Sequence, residues 1–219
     1  MNGKLKAFCS WSGGKESALS FYRAKRAGIH IACLLNMISE DGKYSRSHGV
    51  DSKLLRLQAE AIDVPIVQRT TTWETYEEEF KKALSDFKEK QIRAGVFGDI
   101  DLQEHRDWVE RICNDSDLKA ILPLWNEERE RLFEEFVDLG FKAIIVTTQS
   151  ELLGKEWLGR TIDKQLLNKL KETKDVDLCG EKGEYHTFVY DGPIFKKPIE
   201  FVIGNKTLID KHWFLELLY

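Results

Sequence analysis

Short apolar runs and amphipathic stretches alternate along the first 125 residues. "LKAFCSW" (5–11) predicts a strand, and "ESALSFYRAKRA" (16–27) predicts a helix that stops at Gly28, a residue suited to a helix C-terminus. "HIACLLNMI" (30–38) is apolar at both alternating positions, as a strand buried on two faces requires. A polar loop (39–51) leads to a helix over 52–63, with Leu54, Leu55, Leu57, Ala61 and Ile62 at helical spacing, and then to a strand over 64–70. Tyr76, Phe80, Ala83, Leu84 and Phe87 recur at i, i+4, i+7, i+8 and i+11, which predicts a helix across 74–90. "AGVFGDI" (94–100) reads as a strand with Asp99 at its end, "LQEHRDWVERICND" (102–115) as a helix, and "KAILPLW" (119–125) as a further apolar run. Strands alternating with helices imply a parallel sheet with right-handed crossovers, and ligands at the carboxyl ends of the strands.

Beyond Trp125 the texture changes. A helix (127–139) and a strand (142–148) continue the pattern, and "SELLGKEWLGRTIDKQLLNKLKE" (150–172) supplies one more helix with Ile162, Leu166, Leu167 and Leu170 as its stripe. The remainder reads as strands and hairpins, with "GNKT" (204–207) as a hairpin turn. The expectation is an α/β chain: a Rossmann-like, three-layer nucleotide domain over 1–125 and a smaller α+β domain over 126–219. No internal repeat is visible. The aromatic tail "KHWFLELLY" (211–219) suits either a cap on the core or the interface of a homodimer.

Composition narrows the partners. With 42% hydrophobic and 32% charged residues and four prolines, the 219-residue chain has the make-up of a folded globular protein. A formal charge of −4 gives no overall pull towards nucleic acid, so no direct nucleic-acid binding is expected. No apolar run approaches the roughly 20 residues of a membrane span. The stretch "MNGKLKAFCSW" has no apolar signal region. Cys9, Cys33, Cys113 and Cys179 form no C-x-x-C pair and no zinc spacing, which fits reduced thiols in a cytoplasmic protein.

The candidate chemistry begins at "AFCSWSGGKESALSF" (7–21), a glycine turn between a strand-like and a helix-like run. Such a turn makes an anion site from backbone N–H groups and the helix dipole. The P-loop pattern G-x-x-x-x-G-K-[ST] fails twice: Cys9 stands where its first glycine belongs, and Glu16, not Ser or Thr, follows Lys15. A G-x-G-x-x-G fingerprint fails because Gly13 and Gly14 are adjacent. Taken alone, the loop could still be a bare turn before a helix.

The run Ser12-Gly13-Gly14-Lys15-Glu16-Ser17 resembles the SGGxDS pyrophosphate loop of the ATP pyrophosphatase superfamily. Three further stretches resemble the diphthine–ammonia ligase branch of that superfamily: "SRSHGVDSKLLRLQAEAIDVPI" (45–66), "GVFGDIDLQEHRDWVERIC" (95–113) with "LPLW" (122–125), and "EWLGRTID" with "CGEKGEYHTFVYDGPIF" (156–195). The resemblance implies that ATP adenylates the carboxylate of diphthine, a modified histidine on a translation elongation factor, and that ammonia then displaces AMP. It implies an ATP site of Ser12, Gly13, Gly14, Lys15, Glu16 and Ser17, joined by His48 and Asp99, with Asp99 and Glu16 as candidate Mg²⁺ ligands. Lys15 would meet the charge developing on the pyrophosphate. Glu181, Glu184, Tyr185, His186 and Thr187 would form the acceptor site, Tyr185 offering an aromatic face to a trimethylammonium group and Glu184 orienting or deprotonating ammonium. Glu104 and His105 read instead as helix-start and surface residues. Two residues depart from the family pattern: Glu16 replaces Asp, and Lys182 replaces the first of two paired glycines. A tRNA-modifying pyrophosphatase and a non-catalytic ATP- or AMP-binding protein are the rival readings; the isolated cysteines and acidic balance weigh against the first.

Overall fold

The computed structural model describes residues 4–46 and 48–219. Residues 1–3, the start of the stretch read above for a signal region, lie outside the described residues. Five parallel strands build the first sheet: β1 (Lys6–Ser10), β2 (His30–Ile38), β3 (Ile66–Thr70), β4 (Ala94–Val96) and β5 (Lys119–Ile121), in the order β3-β2-β1-β4-β5. The helices between them are α1 (Lys15–Arg26), α2 (Ser52–Ile62), α3 (Tyr76–Glu89) and α4 (Gln103–Asp115). Alternation along β1 explains the layering. Ala7 and Cys9 point into the core shared with α1 and α2, while Phe8 points to the opposite face among Phe80, Phe87 and Phe97. The result is the expected three-layer, Rossmann-like arrangement. Strand order reverses at β1, so the crevice between the carboxyl ends of β1 and β4 is the natural ligand site of this topology.

The rest of the chain adds α5 (Arg129–Asp138), β6 (Lys142–Gln149), α6 (Lys164–Glu172), β7 (Tyr185–Asp191), β8 (Val202–Ile209) and β9 (His212–Leu218). The four strands make an antiparallel sheet in the order β7-β6-β9-β8. Its inner face does not form a separate core: Ile145, Phe188, Val189 and Leu217 belong to the same buried cluster as Leu19, Phe21 and Leu54. Backbone bonds lock β7 and the segment after it to the first half, Val189 N–H donating to the Gly13 carbonyl at 2.9 Å and Lys196 N–H to the Ala61 carbonyl at 2.7 Å.

Three local expectations are corrected. The strand expected over 94–100 ends at Val96, because the chain turns at Gly98 over the start of α1, leaving Asp99 in a loop. The helix expected within 150–172 is a single 3-10 turn at Lys155–Trp157 followed by α6; Ile162 precedes that helix, which starts where the Asp163 carboxylate accepts the Leu166 N–H at 2.7 Å. "GNKT" (204–207) lies inside β8 and not at a turn. Gly204 and Asn205 form a bulge where the Glu216 carboxylate takes the Asn205 N–H at 3.1 Å, and the chain reverses instead at Asp210, whose φ is 52°.

Candidate active site

The glycine loop leaves β1 and enters α1 through a backbone that only glycine tolerates. Gly13 has φ +81°, and a Cβ there would sit 2.4 Å from Leu55 Cδ2. A Cβ on Gly14 would sit 2.5 Å from His48 Cε1. Gly98 crosses the first turn of α1, where an added Cβ would come within 3.1 Å of the Ser17 amide nitrogen. Gly14 precedes the helix without a side-chain cap of its own; the Lys15 N–H goes to Thr187, which leaves the N–H groups of Glu16 and Ser17 for an anion.

One buried side chain braces the loop. Gln58 Nε2 donates to the carbonyls of Gly13 (3.0 Å) and Val189 (2.6 Å), while its Oε1 accepts from Trp11 Nε1 at 2.8 Å. Gln58 was not among the sequence candidates. Its only signal is a polar residue on the stripe of α2 that carries Leu54, Leu55, Ala61 and Ile62.

The glycine loop and the 177–187 segment meet directly. Lys15 N–H donates to Thr187 Oγ1 at 3.0 Å, and Lys15 Nζ donates to the Cys179 carbonyl at 2.5 Å. The same ammonium pairs with Glu16 Oε1 at 2.5 Å and lies 4.6 Å from the centre of the Tyr185 ring. Burial pulls the Lys15 ammonium towards neutrality, but Glu16, Tyr185 and Cys179 outweigh it and hold the charge firmly on. Together these residues floor a cleft of about 800 Å³, counted to its open mouth, at the β1–β4 crevice.

Ser12, Lys15, Glu16, Ser17, His48, Asp99, Glu181, Tyr185, His186 and Thr187 all line this cleft. His48 and His186 stack with ring centres 4.4 Å apart, and His48 Nδ1 lies 3.3 Å from the Thr187 carbonyl. Burial lowers the His48 imidazole to about 4, with Lys15 adding and the Thr187 carbonyl opposing. Burial also lowers His186, which His48 and Lys15 push in the same direction. Both rings are therefore neutral near pH 7. Tyr185 and Thr187 do structural duty: the tyrosine face receives Lys15, its hydroxyl donates to the Leu178 carbonyl at 2.5 Å, and the threonine hydroxyl accepts the Lys15 amide. His105, read from sequence as a surface residue, stands at the mouth with Nδ1 3.1 Å from Asp99 Oδ1; that bond raises its imidazole.

Glu184 does not line the cleft. Its carboxylate is buried in the loop before β7, accepting the N–H groups of Asp177 and Lys182 at 3.0 Å each. Glu181 faces the cleft instead. Burial first, then the neighbouring Glu16 carboxylate, raise its carboxyl from 4.5 to about 8, with Asp99 and Asp177 adding and Lys15 opposing. The stretch leading to Glu181 is held by Asp177, whose Oδ1 accepts the N–H of Cys179 (2.8 Å) and of Glu181 (3.2 Å). Arg129 pairs with both Asp177 and Asp101 and so ties this loop to the one after β4. The left-handed turn positions are Gly180 (φ +72°) and Gly183 (φ +84°); Lys182 is not among them, so the lysine there brings no backbone strain.

Among the described residues, no set of three or more His, Cys, Asp or Glu side chains is arranged to hold a metal ion by itself. Magnesium, however, is commonly bound by one or two carboxylates together with substrate phosphates. Glu16, Asp99 and Glu181 crowd their negative charge at one end of the cleft, charge that a bound divalent cation would offset. The donor set fits such an ion.

Residues 5–120 match the family model of the diphthamide synthase N-terminal domain, and residues 128–218 that of its C-terminal domain. A diphthine–ammonia ligase of Rattus norvegicus is 30% identical over 86% of this chain and 79% of its own length. The human protein of that name gives the same figures. One from Schizosaccharomyces pombe is 26% identical over 91% of this chain but only 36% of its own length. A solved chain described as a "predicted subunit of tRNA methyltransferase" from Methanocaldococcus jannaschii aligns at TM-score 0.46 and 17% identity, over 89% of this chain and all of that one. With two adjoining family models spanning it nearly end to end, the chain belongs to the diphthamide synthase, or diphthine–ammonia ligase, family.

Proposed function

We propose that this chain is an ATP-dependent, AMP-forming ligase that converts the carboxylate of diphthine on a translation elongation factor to its amide, using ammonia. The observation that carries the reading is the union of the glycine loop with the 177–187 segment: Lys15 bonds Thr187 through its amide and Cys179 through its ammonium. A phosphate cradle and an acceptor segment more than 160 residues apart thus share one cleft.

In this mechanism the acceptor carboxylate attacks the α-phosphorus of ATP and pyrophosphate leaves with its electron pair. The open N-terminus of α1, Ser12, Ser17 and the Lys15 ammonium meet the charge on that leaving group. Magnesium, when bound, would neutralise phosphate charge, and Glu16 and Asp99 are the residues that would hold it. The neutral rings of His48 and His186 line the cleft without adding charge. Ammonia is nucleophilic only when unprotonated, so a proton acceptor is needed. Glu181, the carboxylate of this loop that faces the cleft, suits that task. Glu184 is a positioning residue that holds the loop carrying Glu181.

The test is product analysis with ATP, ammonium and elongation factor that carries or lacks diphthine. The expected result is AMP and pyrophosphate in step with acid-to-amide conversion, read by mass spectrometry of the factor. Formation of ADP would overturn the ligase reading, and ATP binding without turnover on the diphthine form would return the non-catalytic one. Amide formation on some other carboxylate but not on diphthine would remove only the substrate assignment.

A further inference from the structure

A second, narrower recess of about 220 Å³, counted to its mouth, lies behind the cleft floor. Lys15, Glu16 and Cys179 line both spaces and form their common wall. The other walls are hydrocarbon: Leu19 of α1, Ile100 and Leu124 from the loops after β4 and β5, and Leu132, Phe133 and Phe136 of α5. The space admits about one water-sized particle. We propose that this recess is the binding site of the nitrogen nucleophile as neutral ammonia, entered from the cleft past Glu16.

The inference rests on the ligase reading and says where the second substrate waits. Three species compete for a space of this size. Ammonium is disfavoured, because the Lys15 ammonium in the wall repels it and the Glu16 carboxylate is already paired with Lys15 at 2.5 Å. Water is disfavoured, because a buried water needs two to four polar partners and these walls supply few. Ammonia has the size and no charge. Its proton is left in the cleft, on the other side of the wall formed by Lys15, Glu16 and Cys179. The step then balances. Ammonium gives a proton to water in the cleft and becomes ammonia, whose lone pair forms the C–N bond at the acyl carbon. The C–O bond to AMP breaks with AMP taking the electron pair, and the second nitrogen proton passes out through the cleft. Exclusion of water from the recess also spares the acyl-adenylate from hydrolysis.

Filling and opening the recess at Leu132 tests this. Leu132→Phe is expected to raise KM for ammonium by about tenfold to a hundredfold, the range for a one-group mismatch in an apolar pocket. KM for ATP should hold, as should ATP–pyrophosphate exchange on diphthine-bearing elongation factor, a half-reaction in which ammonia takes no part. Leu132→Val is expected to admit methylamine, which wild type refuses, giving an N-methyl amide by mass spectrometry. Intact exchange with an unmoved ammonium KM overturns the recess proposal and leaves the ligase reading standing. Absence of exchange and of AMP in wild type overturns the ligase reading itself. If Leu132→Phe loses exchange through misfolding, the valine variant decides: acceptance of methylamine supports the proposal and refusal overturns it.

Discussion

Replacing Glu181 by glutamine removes the charge that the cleft holds least easily. Burial, then Glu16, raise this carboxyl from its ordinary 4.5 to about 8 in the folded chain. Between those values the folded chain holds a proton that the unfolded chain has released. The group's stabilisation is therefore complete below the ordinary value and is lost as pH rises to about 8. At roughly 1.4 kcal/mol per decade, ionising it costs at most on the order of 5 kcal/mol. Solvent reaches this partly buried side chain, and screening reduces the cost to about 2 kcal/mol. For a chain of this size that is a fall in Tm of roughly 4–8 °C. The assay is thermal melting of the ligand-free protein by circular dichroism from about pH 5 to about pH 9. Wild type should lose that much more than Glu181→Gln over the interval, and the variant should lose amide formation while still binding ATP. Parallel Tm curves for the two proteins would refute the crowding of Glu181 against Glu16 and Asp99.

Glu184→Gln should behave differently: an amide keeps one acceptor but sets an N–H against another, costing about 2 kcal/mol by denaturant titration, with the pH profile of amide formation unshifted. A shifted profile at unchanged stability would make Glu184 the base instead. Gln58→Leu leaves Trp11 Nε1 without its buried acceptor and removes a donor from the carbonyls of Val189 and of Gly13, the latter keeping only the Val189 N–H. The expected loss is about 3 kcal/mol or more with a raised KM for ATP, and a stability loss below 1 kcal/mol, about that of a single ordinary hydrogen bond, would contradict the bracing role. Because His48 is lowered to about 4, its imidazole signals in NMR should stay those of the neutral ring across the ordinary histidine range near 6.5. Titration near that ordinary value would mean the ring is open to water. Lys15→Met should abolish pyrophosphate release, and retention of wild-type ATP–pyrophosphate exchange would remove Lys15 from the reaction.

The sequence by itself determined whatever depends on near neighbours in the chain. Apolar periodicity marked the parallel strands and their helices because each element buries one face or two, and the adjacent Gly13 and Gly14 marked a turn that side chains cannot occupy. The meeting of that turn with the GEKGEYHT segment was legible only through resemblance, since no local pattern ties Lys15 to Thr187 and Cys179. Tertiary structure decided which acidic residue faces the cleft. Glu181 and Glu184 are three apart in a loop that turns through left-handed glycines at 180 and 183, where side-chain direction has no period to read. It likewise gave Gln58 its three partners, which come from the loop after β1 and from β7, and it moved the last reversal from Gly204 to Asp210 by fitting Glu216 against a bulge. Side-chain direction in a turn, and a polar group's partner across the core, are set by packing between distant segments; periodicity and spacing carry only the local half of that information.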